Sequence, residues 1–275
     1  MLIAQLSDLH IKAGGALAYA GKVDTYTALE CAVDHLNAMK PRPDLVMVSG
    51  DLGDFGTLAE YRQARLALDR LEMPFHVIPG NHDERGAMRE GFADHAYLPS
   101  GEGHLSYALE DQPLRLVALD TSEPGKPYGL MDSERVQWLE STLSERPEER
   151  TLLFMHHPPL AVGITHMDVQ CLQEAERLAV VLRRHPQVEL ILCGHLHRPV
   201  EFIWEGRPVY VAPAHNHAVT LDLEPGAASS FTLEPALIRL LYLHPDSGTL
   251  LSHMTPVGNC DGPYPFFDAA GRLID

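Results

Sequence analysis

Leu45-Val46-Met47-Val48-Ser49-Gly50-Asp51-Leu52-Gly53-Asp54 is the stretch that decides the fold. Four apolar residues in succession read as a strand buried on both faces, as in a parallel sheet covered by helices. Ser49 and Gly50 break the run, and Asp51 then stands at the end of a buried strand, where α/β sheets hold their ligands. Taken alone, Asp51 reads as a turn aspartate accepting from local amides. Recurrence argues for more, because four other strands run into His, Asp or Asn in the same way.

Upstream, residues 2–7 form a strand that runs into Asp8-Leu9-His10. Residues 11–22 contain Gly14, Gly15 and Gly21 and read as a long loop. Tyr19 in that loop is either a pocket wall or a surface-packed tyrosine. Leu29, Ala32, Val33 and Leu36 fall at helical spacing within residues 25–39, and Pro41 and Pro43 end that helix. Residues 57–71 read as a second helix, opened by a Thr57/Glu60 capping box. Residues 75–78 are a third strand leading into Pro79-Gly80-Asn81-His82-Asp83. Strand, helix, strand, helix, strand is the rhythm of a parallel sheet with right-handed crossovers. The strand ends should then gather on one edge.

Downstream, a weaker helix over 84–94 precedes two strands, 105–109 and 114–119. A helix over 132–144, capped by Asp132 or Ser133, leads to a strand at 151–155 and then to His156-His157-Pro158-Pro159. The spacing predicts a loop over 160–168 and a helix over 169–184. A strand at 188–193 precedes Gly194-His195-Leu196-His197, and two more strands lie at 200–204 and 208–211. Residues 212–228, which carry His215-Asn216-His217, read as irregular, and 233–243 with 248–253 as a closing hairpin. The two halves, roughly 1–120 and 121–255, each carry strands bearing polar tips. A two-sheet sandwich with helices outside fits this better than two domains. One domain over 1–254 is expected, with residues 255–275 an aromatic arm suited to a subunit interface, so a homodimer or larger homo-oligomer is anticipated.

Composition narrows the function. With 275 residues and 45% hydrophobic content, the chain can build a full core. A formal charge of -17 argues against a nucleic-acid polymer as partner, since phosphate backbones need a cationic surface. It leaves room for a small anionic substrate, because bound cations reverse the local sign of a site. The opening Met1-Leu2-Ile3-Ala4-Gln5 lacks the basic and apolar regions of a signal peptide, and nothing approaches a membrane span. A cytoplasmic protein is expected. Cys31, Cys171, Cys193 and Cys260 form no CxxC pair and read as ordinary thiols, with a Cys171–Cys260 bridge left open.

The strand tips collect Asp8, His10, Asp51, Asp54, Asn81, His82, Asp83, His156, His157, His195 and His197. Such a crowd is costly to fold uncompensated, since like carboxylates repel and desolvated polar groups need partners. Divalent cations offset that cost. Oxygen and nitrogen donors without thiolate suit Fe, Mn, Zn or Co. Asp8 with His10, and His195 with His197, are two residues apart; in extended chain each pair faces one side and can converge on one site. Gly50, Gly80 and Gly194 permit sharp turns and close backbone approach before the ligands.

In order, the motifs DxH, GDxxD, GNHD, His before a Pro turn, and GHxH resemble those of the calcineurin-like metallophosphoesterases. They span residues 8–197 with none missing. Within that superfamily the chain most resembles the class III cyclic-nucleotide phosphodiesterases and the bacterial glycerophosphodiesterases; the Ser49-Gly50-Asp51 and Met155-to-Leu160 stretches, and the overall length, are similar to the latter. The resemblance implies an α/β fold, a four-layer αββα sandwich of two mixed sheets flanked by helices. It implies two cations: one held by Asp8, His10, Asp51 and His197, the other by Asp51, Asn81, His156 and His195, with Asp51 bridging. His82, with Asn81, would contact the substrate phosphate and act in catalysis. Asp54 and Asp83 would orient histidines from behind, and His157 is the weaker ligand of its pair. His217 matches an active-site histidine, or is a solvated loop histidine. The implied activity is hydrolysis of small phosphodiesters, glycerophosphodiesters or 3',5'-cyclic nucleotides, by in-line attack of a metal-bridging hydroxide. The alternatives are a phosphomonoesterase or nucleotide pyrophosphatase of the same superfamily, or a non-catalytic scaffold.

Overall fold

In the computed structural model, which describes residues 1–258 and 260–274, the quoted run is a strand of five buried residues, β2 (Leu45–Ser49). It lies parallel between β1 (Leu2–Leu6) and β3 (Phe75–Ile78). The crossovers are α1 (Thr25–Ala38) and α2 (Leu58–Leu68). The capping box forms as the sequence predicts: Thr57 Oγ1 accepts from Glu60 N at 3.3 Å, and the Glu60 carboxylate accepts from Thr57 N at 3.0 Å.

Alternation along β2 builds two layers at once. Val46 and Val48 face Leu29, Val33 and Leu36 of α1 and Tyr61, Ala64 and Leu68 of α2. Leu45 and Met47 face the other way, into a layer shared with Leu116, Phe154 and Leu190 of a second sheet. That sheet contains β4 (Tyr107–Leu109), β5 (Arg115–Leu119), β6 (Thr151–Met155), β7 (Val188–Cys193), β8 (Val200–Trp204) and β9 (Arg207–Val211), in the order β4-β5-β6-β7-β9-β8. Between β3 and β4 lies the short helix α3 (Arg85–Gly91). The outer face of the second sheet is covered by α4 (Ser133–Glu145) and α6 (Ala175–Arg184), with α5 (Thr165–Asp168) a single turn between them. Helix, sheet, sheet, helix is the expected four-layer sandwich.

Two expectations need correction. The halves do not divide near residue 120. The second sheet begins at β4, and after the small pair β10 (Ala218–Val219) and β11 (Phe231–Thr232) the chain returns to the first sheet. There β12 (Leu237–Leu243) runs antiparallel to β1 and pairs with β13 (Leu250–Pro256), giving the order β13-β12-β1-β2-β3. Residues 169–174 are not helical. Leu172 N donates to Pro158 O and Gln173 N to Gly129 O, so their amides serve neighbouring loops instead of a helix, and Glu174 takes a left-handed φ of 57°. The cysteines are the free thiols the sequence suggested, Cys171 buried and Cys260 exposed, and the bridge left open between them is not made. Beyond β13, the arm keeps Tyr264, Phe266, Phe267, Leu273 and Ile274 exposed; Asn259 and Asp275 of that arm lie outside the described residues. Among the described residues, no helix is long and apolar enough to cross a membrane.

One buried side chain ties the two sheets together beneath the strand tips. Gln5 Nε2, on β1, donates to Ser49 Oγ and to the carbonyl of Cys193 on β7, each at 2.9 Å.

His76 on the edge strand β3 packs on Tyr97 with ring centroids 4.6 Å apart, and its Nδ1 is buried without a partner. Burial, with nearby His95 assisting, pushes its imidazole down to about 4. Its folded value lies below the unfolded 6.5, so stability is whole above pH 6.5 and lost as pH falls toward 4. The melting temperature should drop across that window, and less steeply in His76→Gln. Superimposable pH profiles for the two proteins would contradict this.

Candidate metal centre

Each polar tip leaves its strand through a backbone bend that the tight packing imposes. Asp8 N donates to Gly50 O at 3.0 Å and His10 N to Asp51 O at 2.9 Å, so the first two tips run side by side past their strands. Five residues at these tips take left-handed φ values: Asp8 at 56°, His10 at 47°, Asp51 at 53°, His195 at 73° and His197 at 51°. Each costs on the order of 1–2 kcal/mol relative to ordinary backbone. Such strain persists only where the surroundings over-determine it, and it concentrates at functional sites.

The side chains meet with acceptors facing acceptors. His10 Nδ1 donates to Asp54 Oδ1 at 3.3 Å and His197 Nδ1 to His217 O at 3.3 Å. Those partners accept only, so in the neutral rings the protons sit on Nδ1. The two Nε2 atoms, 3.2 Å apart, then point bare lone pairs at one another. His197 Nε2 also lies 3.3 Å from Asp8 Oδ1. His156 repeats the pattern: Nδ1 donates to Ser49 O at 2.7 Å, leaving Nε2 against Asp51 Oδ2 at 3.3 Å and Asn81 Oδ1 at 3.2 Å. Nε2 of His195 is buried without a partner. Lone pairs in this arrangement fit cations, and the oxygen and nitrogen donor set suits a divalent metal.

Protons alone settle the same imbalance badly. Burial raises Asp8 above the ordinary carboxylate range. Burial works the same way on Asp51, but His156 and His82 outweigh it and hold that carboxyl well below. His156, penalised by burial, is nonetheless lifted to about 9 by Asp51. Burial drives His195 down to about 3 and keeps His197 well below its usual value. Some of the crowd thus holds protons while its neighbours reject them.

The sequence-predicted residues assemble, with two differences. Asp8, His10 and His197 bring donor atoms within 4.8 Å of one another, as do Asp8, Asp51 and His156. Asp51 Oδ2 reaches both sides, 3.7 Å from His10 Nε2 and 3.3 Å from His156 Nε2. His195 does not share a group with His197; it falls with His156 and His157. The two-apart spacing therefore brings Asp8 and His10 to one group but not His195 and His197. Asp54 backs His10 and binds Lys12 Nζ at 2.6 Å. Asp83 orients no histidine among the described residues. It accepts from the amides of Gly80, Leu52 and Gly53 and from Tyr61 Oη, stapling two ligand-bearing loops together.

His82 is exposed; its amide donates to Asp51 Oδ1 at 2.9 Å, and its Nδ1 to Asp54 O at 2.8 Å. Tyr19 and His217 stand together, ring centroids 4.5 Å apart, with Phe231 5.0 Å from Tyr19. With His82, His195 and His197 they line an open cavity of about 330 Å³, so Tyr19 is a pocket wall and His217 is a buried lining residue, not a solvated loop histidine. Two supports escaped the sequence reading. Ser49 acts on His156 through its carbonyl, which no side chain signals. Asn216 donates to the carbonyls of Asp8 and Leu9 at 2.9 and 3.1 Å, tying the loop that carries His217 to the first tip.

The profile of the calcineurin-like phosphoesterase family matches residues 1–199, the span that holds every tip described. The chain belongs to this family. It is 43% identical over 276 residues, all of both chains, to a probable glycerophosphodiester phosphodiesterase, GpdQ, of Arcobacter nitrofigilis. It is 30% identical to the 3',5'-cyclic adenosine monophosphate phosphodiesterase CpdA of Escherichia coli, over 92% of this chain and 88% of that one. A phosphodiesterase ancestry thus runs through nearly its whole length. In fold it matches a dimetal phosphatase from Danio rerio with a TM-score of 0.65, covering 94% of this chain and 96% of that one at 16% identity. As in its family, its clustered His and Asp donors make it a divalent-metal protein.

Close approach leaves no room for a side chain at Gly80 of this phosphoesterase. A Cβ on Gly80 would overlap Asp51 Oδ1 and lie 2.6 Å from the Asp51 backbone nitrogen. Gly80→Ala should fold yet bind less metal per chain at a fixed free concentration, read by atomic absorption after gel filtration. Wild-type metal content in that variant would contradict the packing argument.

Proposed function

We propose that this protein is a binuclear metal-dependent phosphodiesterase acting on small diesters, glycerophosphodiesters or 3',5'-cyclic nucleotides. The observation that carries the reading is the pair of His/Asp donor groups, Asp8–His10–His197 and Asp8–Asp51–His156, with Asp51 Oδ2 reaching both His10 and His156, beside a cavity lined by His82. Asp8, His10, Asp51 and His197 hold one cation; Asp51, Asn81, His156 and His195 hold the second. Fe, Mn, Zn and Co all suit these donors. Bound there, divalent cations supply Lewis-acid charge and lower the pKa of water.

The chain supplies orientation and proton handling. The carbonyl of Ser49 and the carboxylate of Asp54 fix the tautomers of His156 and His10, so each presents Nε2 inward. The amide of Asn81 can approach a phosphoryl oxygen from the cavity wall. His82 is anchored through its Nδ1 on the Asp54 carbonyl, leaving Nε2 to stabilise a non-bridging oxygen or to protonate the departing alkoxide. Tyr19, Phe231 and His217 form the aromatic flank against which an ester group packs.

The catalytic unit in this reading is residues 1–254. The arm 255–275, with its exposed Tyr264, Phe266 and Phe267, buries those rings against a second copy in a homo-oligomer. A cytoplasmic setting belongs to the same proposal, supported by the free thiols.

The test is metal-dependent turnover of bis-p-nitrophenyl phosphate, cyclic AMP and glycerophosphodiesters, set against p-nitrophenyl phosphate. His82→Ala should lower kcat on its diester by about a hundred-fold or more while metal content is unchanged. Unaltered kcat would remove His82 from the mechanism. Preference for the monoester would favour the phosphomonoesterase alternative. Because Asn81 is a neutral donor, stepwise metal titration should show one tight and one weaker cation; two equal affinities would count against the assignment.

A further inference from the structure

A second cavity, about 520 Å³, borders the first, and Asn81 and His82 wall both. A phosphorus atom held at those two residues therefore has a cavity on either hand. Within the second cavity stand two arginines of α3, four residues apart on one helical face.

Both guanidinium groups are pinned by their inner atoms. Arg85 donates through Nε and Nη2 to Asp120, at 2.6 and 3.1 Å, and through Nη2 to Ser122 O at 2.7 Å. Asp120 is fully buried. Arg89 donates through Nε to Pro99 O at 3.1 Å and through Nη2 to Gly103 O at 2.5 Å. In each case Nη1 has no hydrogen-bond partner among the described residues. Guanidinium planes held this way have lost most of their rotamer freedom before any ligand arrives, so hydrogen bonds made through Nη1 cost little further entropy.

Asp83, Glu84, Glu102 and Glu123 line the same cavity. The Asp83 carboxylate is taken up by the amides of Leu52, Gly53 and Gly80, and that of Glu84 by the amides of Gly86 and Ala87, which leaves Glu102 and Glu123 as the two carboxylates without a hydrogen bond among the described residues. A cationic arm would meet the two arginines, and an anionic arm the two carboxylates. An apolar arm would desolvate Nη1 of both arginines without pairing them. A hydroxyl accepts from Nη1 and donates to a carboxylate, so an uncharged arm rich in hydroxyls is served by both. Resting on the phosphodiesterase reading, we propose that this cavity binds one ester arm of the diester and selects an uncharged, polyhydroxylated alcohol, with Arg85 and Arg89 as the specificity-determining residues.

The experiment compares kcat/KM for diglyceryl phosphate with that for dipropyl phosphate, followed by phosphorus NMR on the metal-loaded enzyme. Symmetric diesters place the same group in the cavity whichever arm leaves. The ratio of the two is insensitive to the fraction of active enzyme, so a partly misfolded variant does not distort it. Wild type should prefer the glyceryl ester, and Arg89→Met should reduce that preference about ten-fold, the worth of one hydrogen bond to a charged donor. Arg85→Met should do the same. A wild-type preference retained in both variants, or no preference in wild type, would overturn the proposal. Turnover of p-nitrophenyl phosphate with neither diester cleaved would strike the phosphodiesterase reading itself, a distinguishable failure.

Discussion

Lone pairs that face one another govern this molecule. Nε2 of His10 and Nε2 of His197 lie 3.2 Å apart with their Nδ1 protons already committed elsewhere, and His156 aims its own lone pair at two oxygens. These side chains are buried, so the interactions are strong and of the wrong sign. Positive charge must enter for the arrangement to be stable. Without it, the crowd relies on an uneven distribution of protons, with His156 taking one near pH 9 and His195 refusing one until about pH 3. Divalent cations answer the same need without that conflict, and by doing so make the cluster reactive toward phosphate esters.

The scaffold exists to hold that conflict in place. Two sheets stacked face to face deliver their strand tips to one edge, and Gln5 crosslinks them directly under it. Left-handed backbone at five tips would relax if the loops were free. Asp83 prevents this by gathering the amides of Gly80, Leu52 and Gly53, and Asn216 does so by gripping the carbonyls of Asp8 and Leu9. Strain at the tips is thus maintained by hydrogen bonds that never touch a metal or substrate.

Much of this was legible in the sequence, for identifiable reasons. Buried strands announce themselves as unbroken apolar runs, so β2, β3, β6 and β7 were found nearly to the residue. The clustered polar side chains were legible because His and Asp are out of place at the ends of such runs. What stayed hidden acts through backbone or over long range. The carbonyl of Ser49 leaves no side-chain trace, and the return of β12 to the first sheet depends on pairing across more than two hundred residues. The segment 169–174 looked helical by composition but gives its amides to loops at 129 and 158, a tertiary preference that local propensity does not encode. Asp83 was found but misassigned, since a carboxylate beside a histidine motif reads as its partner when its real partners are amides.

The claim on which the rest depends is that one carboxylate, Asp51, serves two cations. Metal stoichiometry of Asp51→Ala, measured by equilibrium dialysis against wild type, tests it most directly. A shared ligand predicts that removing this single side chain weakens both cations together, leaving far less than one per chain where wild type holds two. A variant that keeps one cation at wild-type affinity would show that Asp51 belongs to one site alone, and the account of a joined pair would be wrong.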